Sequence, residues 1–99
     1  MPRTPIHPGE HLAEELREIG ITAAELSRQI DVPVNRITGL IHGQRGITAD
    51  TALRLSRAFG KPPMFWMNLQ AAYDVEVVEQ DMGKALAGIR PLTSRMAQA

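Results

Sequence analysis

Residues 22–46 read TAAELSRQIDVPVNRITGLIHGQRG, and the fold follows from how this stretch divides. Thr22 stands three residues before Glu25, the spacing of a reciprocal capping box, and Leu26 and Ile30 then give a short run one apolar stripe. A helix is expected over about 23–30. Asp31 follows, a residue type that tolerates the left-handed conformation of a turn, and Pro33 has the φ that starts a new helix. That second helix carries Ile37, Leu40 and Ile41 inward and stops at Gly43, while Ser27 is small enough for the two helices to approach closely. Two short helices joined by a turn of about three or four residues form a helix-turn-helix, whose second helix lies in the DNA major groove while the first crosses the backbone.

The positions left outside the second helix are Val34, Asn35, Arg36, Thr38 and His42. Arginine and asparagine make bidentate contacts to guanine and adenine, and a valine or threonine methyl packs on the methyl of thymine. The same residues could simply decorate a solvated helix end. Their neighbours favour an anionic partner. Arg45 lies just past the helix in the loop GQRG, and the helix starts at Thr22 and Thr48 each present free amides and a hydroxyl suited to phosphate oxygens. Asn35 and Arg36, at the start of the helix, are placed for base edges, and Arg45 for the sugar-phosphate backbone.

Outward from this stretch the pattern stays helical. Pro8 at a first helical turn, Glu10 near the positive end of the dipole, and Leu12, Leu16 and Ile19 before Gly20 predict a helix over 8–19. Thr48 caps a segment over 49–59 in which Ala52, Leu55 and Phe59 share a face, and Gly60 stops it. A fifth helix begins near Pro63 and aligns Trp66, Leu69, Tyr73 and Val77. Operator binding generally uses a dimer with half-sites about 34 Å apart, and this face is the candidate dimer surface. The expectation is an all-α, five-helix single domain over 1–80 with a tail over 81–99, its final residues disordered.

Composition narrows the function classes. The 99 residues are 43% hydrophobic, enough for one modest core. They contain no cysteine, which leaves no disulfide or thiolate metal site and fits a reducing cytoplasm. No stretch approaches the roughly 20 apolar residues of a membrane span, so a soluble, cytoplasmic protein is expected. The formal net charge is zero but unevenly spread: residues 22–61 hold six basic against three acidic side chains, and residues 1–21 two against four. One face suits an anionic partner and another a cationic one. The acidic residues Glu14, Glu15 and Glu18 are either a solvated face or a contact for a basic protein. His7 and His11 flank Glu10, but Pro8 rather than glutamate follows the first histidine and no third ligand is apparent, so no metal or other cofactor is expected. Ser27 lacks histidine and carboxylate partners, and GQRG lacks the lysine and spacing of a Walker motif, so nothing predicts an enzyme.

Three segments carry a closer resemblance: HPGEHLAEEL at 7–16, AELSRQIDVPVNRITGLIHGQRGITADTALRLSRAFG at 24–60 and FWMNLQAAYD at 65–74. Together they resemble the HigA (VapI-like) family of toxin-antitoxin antidote proteins, within the Xre/Cro-type helix-turn-helix repressors. Two departures are Asp31, where many relatives have glycine, and Gly39, where some carry a longer base-contacting side chain. The resemblance implies a lambda-repressor-like domain that binds operator DNA at a palindromic promoter site, neutralises a RelE-like (HigB-type) ribonuclease toxin and represses the operon encoding both. It places recognition at Pro33, Val34, Asn35, Arg36 and Thr38, with phosphate contacts at Thr22, Arg45 and Thr48. The alternatives are a stand-alone repressor without a toxin and a protein-interaction module that no longer binds DNA. A short basic reading frame beside the gene favours the antitoxin reading.

Overall fold

The computed structural model describes residues 4–93. Five helices follow in order: α1 Pro8–Ile19, α2 Ala23–Ile30, α3 Val34–Ile41, α4 Ala49–Phe59 and α5 Pro63–Ala87. Among the described residues there is no strand, and no helix is long and apolar enough to cross a membrane. Local chemistry accounts for the boundaries. Thr22 Oγ1 accepts a hydrogen bond from the Glu25 amide at 3.1 Å and the Glu25 carboxylate accepts one from the Thr22 amide at 3.2 Å, the capping box expected at α2. Asp31 closes α2 with φ 58°, the left-handed turn that its short polar side chain tolerates. At α1 the cap is a histidine: His7 Nδ1 accepts from the Gly9 amide at 2.9 Å, and Glu10 reaches back to the His7 amide at 3.2 Å.

The core is formed where α1, α2, α3, α4 and the first turns of α5 meet, with Leu12, Leu26, Ile37, Leu40, Leu55 and Trp66 sealed from solvent. Ile37 and Leu40 point inward, as the spacing predicts, and hold α3 against Leu26 and Ile30 of α2. Ser27 is buried at the same contact, its hydroxyl donating to the Ala24 carbonyl at 2.7 Å. The opening of α1 lies directly on the end of α3. A Cβ built on Gly9 would stand 1.8 Å from the Leu40 carbonyl oxygen, so only glycine permits this approach.

Two features of α5 differ from expectation. Trp66 is fully buried against Phe59, Phe65 and His11, with ring centroids 5.1–5.8 Å away, so it belongs to the core and offers no surface to a second subunit. Leu69, Tyr73 and Val77 are half-buried, and Tyr73 meets the His7 ring edge-on at 4.9 Å. The exposed apolar residues lie on the opposite side of the helix, at Val75, Val78, Met82 and Leu86. The helix also runs past residue 80, kinks at Gly83 (φ 15°, ψ −86°) and ends at Ala87, so the first part of the expected tail is helical. Disorder was expected only in the final residues; 94–99 lie outside the described ones.

Candidate nucleic-acid interface

Helix α3 has no side-chain cap, and Pro33 in extended conformation delivers the chain into its first turn. Pro33, Val34, Asn35 and His42 are exposed, and Thr38 is half-buried, its hydroxyl donating to the Val34 carbonyl at 3.3 Å. Thr48 Oγ1 accepts from the Thr51 amide at 3.3 Å, so its hydroxyl serves the start of α4 as Thr22 serves that of α2. Both threonines are exposed. Thr22 is separated from the turn by the length of α2, about 12 Å at 1.5 Å per residue.

The two arginines of the expected interface are held very differently. Arg36 Nη1 donates to Asp50 Oδ1 at 2.9 Å, linking the first turn of α3 to the first turn of α4. Arg54 Nε donates to the same oxygen at 2.8 Å, while Arg54 Nη1 reaches the carbonyls of Ile30 at 2.7 Å and Asp31 at 3.2 Å. One carboxylate and two guanidinium groups thereby tie together the end of α2, the start of α3 and the start of α4. Arg45 is different: its aliphatic stem and Nε lie 3.5–3.7 Å from where a Cβ on Gly39 would stand. The loop that carries it is fixed from α5, where Gln70 Oε1 accepts from the Ile47 amide at 2.6 Å and Gln70 Nε2 donates to Asp74 at 2.9 Å.

Asp50, Arg54 and Gln70 were missing from the residues predicted for the site. The Asp50–Arg54 pair, four apart on α4, was legible as a helical ion pair. Nothing local signals Gln70, whose partner amide lies 23 residues earlier. On α1, Glu15 is paired with Lys61, which also sits 4.4 Å over the Phe65 ring, so the acidic face presents Glu14 and Glu18 outward. Among the described residues no group of three or more histidine and acidic side chains could hold a metal ion.

The Asp50 carboxyl is held below its usual value of 3.8 chiefly by the hydrogen bond from Arg54, with the charges of Arg54 and Arg36 acting in the same direction. A carboxyl whose pKa is lowered by folding stabilises the fold above its unfolded value, and this contribution is lost as pH falls through the folded value. Asp50→Asn is therefore expected to lower the melting temperature slightly at pH 7, and the deficit should shrink as pH falls below 3.8 toward the lowered folded value. Thermal melts of both proteins from pH 7 to pH 3 check this; a deficit that does not shrink over that range would point to the amide, not the lost charge.

Buried Ile37 and Leu40, the αL turn at Asp31 and a polar outer face on α3 define a helix-turn-helix DNA-binding protein. The family model described as Helix-turn-helix matches residues 12–66. Virulence-associated protein I of Dichelobacter nodosus is 51% identical over 77 residues, which are 77% of this chain and 71% of that one. Among solved structures, an addiction module antidote protein of the HigA family from Coxiella burnetii superposes with a TM-score of 0.86 at 46% identity, covering 90% of this chain and 99% of that one. Pseudomonas aeruginosa antitoxin HigA, solved with the higBA promoter, superposes with a TM-score of 0.83 at 42% identity over 89% of this chain and 98% of that one. The chain belongs to the HigA (VapI-like) family of helix-turn-helix antitoxins, which are DNA-binding proteins and not enzymes.

Proposed function

We propose that this protein is the antitoxin of a two-gene module, that it represses its own operon as a homodimer on a palindromic promoter site, and that it neutralises a RelE-like (HigB-type) ribonuclease toxin in the cytoplasm. The observation that carries this reading is the outer face of α3, polar, exposed and flanked by the Arg45 loop, in a chain whose fold matches an antitoxin solved with its promoter. Pro33, Val34, Asn35 and Thr38 face the major groove with the Arg45 loop beside them, and the helix starts at Thr22 and Thr48 face the strands on either side. Arg36 stands beside them in the clasp with Asp50. The dimer contact is the exposed stripe Val75, Val78, Met82 and Leu86 of α5, a set that recurs at helical spacing and is left uncovered in the single chain.

The test joins both halves of the function. Titrated against its own promoter DNA, the protein should bind with an affinity that falls linearly in log-log terms as salt rises, with a slope of about −0.9 per phosphate neutralised. Co-expressed with the neighbouring reading frame, it should form a complex that suppresses RNA cleavage. Salt-sensitive promoter binding without a toxin beside it would reduce the protein to a stand-alone repressor. Toxin capture without promoter binding would leave only an interaction module.

A further inference from the structure

Gly39 lies on the outward side of α3: four residues after Asn35, it falls about 40° from it on the helical wheel, with Thr38 about 60° to the other side of Asn35. It is nevertheless buried. The cover is Arg45, whose Cγ, Cδ and Nε pack over the bare backbone at 3.5–3.7 Å from the absent Cβ. The arginine therefore does not trail away from the helix into the loop; its stem and Nε lie over α3 at Gly39. Among the described residues that guanidinium has neither a hydrogen bond nor an ion pair. Arg36 is the reverse case. Its side chain is 32% exposed, and its Nη1 is engaged by Asp50 at 2.9 Å, on the α4 side of the helix.

We infer that Arg45 is the arginine with which this protein reads a base pair, filling from the loop the groove position that Gly39 leaves empty on α3, and that Arg36 serves the fold as the clasp between α3 and α4. The inference rests on the DNA-binding reading above and specifies which side chain supplies its sequence preference. A fork of parallel N–H donors on the major-groove side of a recognition helix matches the O6 and N7 acceptors of guanine. A stem packed against the helix is immobilised before binding, so less side-chain entropy is lost when the base contact forms. Gln70 and Gly46 complete the device: Gln70 Oε1 holds the Ile47 amide, and it stands 2.9 Å from where a Cβ on Gly46 would be, so the loop carrying Arg45 is clamped between α3 and α5.

The experiment is selection from a pool of DNA duplexes with about 20 randomised base pairs, run on the wild-type protein and on Arg45→Ala, Arg36→Ala and Gly39→Leu, with circular dichroism confirming that each is folded. The wild type should enrich a two-fold symmetric site. Arg45→Ala should flatten the preference at one base pair per half-site, with a loss of about ten- to a hundred-fold on the best wild-type sequence. Gly39→Leu puts a side chain where the arginine stem lies, and should flatten the same position although Arg45 is still present. Arg36→Ala should lower the melting temperature and weaken binding modestly while enriching the wild-type sequence. If Arg45→Ala weakens all sequences alike and keeps every preference, Arg45 grips phosphate only and the inference is wrong. A shift in preference on losing Arg36 instead of Arg45 also overturns it. A wild-type protein that binds the pool but enriches no sequence refutes base reading by Arg45, and one that retains no duplex at all removes the DNA-binding reading as well.

Discussion

Trp66→Ala is expected to cost about 3–5 kcal/mol, the range for removing a large aromatic side chain from a core. The indole is fully sealed and sits among Phe59, Phe65 and His11, where it joins α5 to α1 and α4. Against the roughly 5–15 kcal/mol that stabilises a typical domain, this is a large fraction, and for a chain of this length it corresponds to a fall in melting temperature of roughly 15–30 °C. Trp66→Phe should lose much less. Among the described residues the buried indole Nε1 has no hydrogen-bond acceptor, so phenylalanine removes an unmet donor along with part of the packing. Thermal melts at several protein concentrations separate this from the dimer role first expected of Trp66. A core residue changes the melt at every concentration, whereas a subunit contact would leave a folded monomer of near-normal stability.

Gly9→Ala comes next in size, at about 3 kcal/mol or somewhat more, the upper end of the usual cost of overpacking. The added methyl would lie 1.8 Å from the Leu40 oxygen, 2.7 Å from its carbonyl carbon and 3.0 Å from the Ile41 Cα. All three are backbone atoms, so no side chain can turn aside and α1 must separate from α3. The consequence reaches function directly, because Leu40 and Ile41 belong to the helix that carries Asn35 and Thr38. Promoter affinity should fall by more than the unfolded fraction explains. Gly39→Ala is the control, since its methyl would meet only the flexible Arg45 side chain at ordinary contact distance. Equal stability of the two variants in a denaturant titration would contradict the close approach of α1 to α3.

The expectations that survived are those decided within one helical turn. The bounds of α1, α2 and α4 fall where Pro8, Thr22 and Thr48 open them and Gly20, Asp31 and Gly60 close them. A capping hydroxyl, a left-handed residue and a 3.6-residue apolar period all act over three or four positions, so they can be read along the chain. The same holds for Ile37 and Leu40, whose inward direction follows from spacing once α3 is known to be a helix. His7 marks the limit of this rule: its role as a cap is local, but histidine is not among the residues usually preferred there.

Beyond that range the tertiary structure decided. Helix α5 carries apolar residues on opposite sides, Trp66 and Tyr73 on one and Val75 and Val78 on the other, so periodicity cannot say which side is buried. The answer depends on where α1 and α4 lie, and they leave Val75 and Val78 outside. The state of the two arginines is likewise non-local. Asp50 lies 14 residues after Arg36 and is brought to it only by the packing of α4 on α2 and α5. The loop that lays Arg45 over Gly39 turns on a local bond from the Gln44 amide to the Gly39 carbonyl at 2.8 Å, but its far end is held at Ile47 by Gln70, 23 residues on. The sequence determined which segments are helices and which residues could face DNA. Which arginine is tied down and which is left free was settled by packing, because a side chain's partner depends on distances across the fold that no local period encodes.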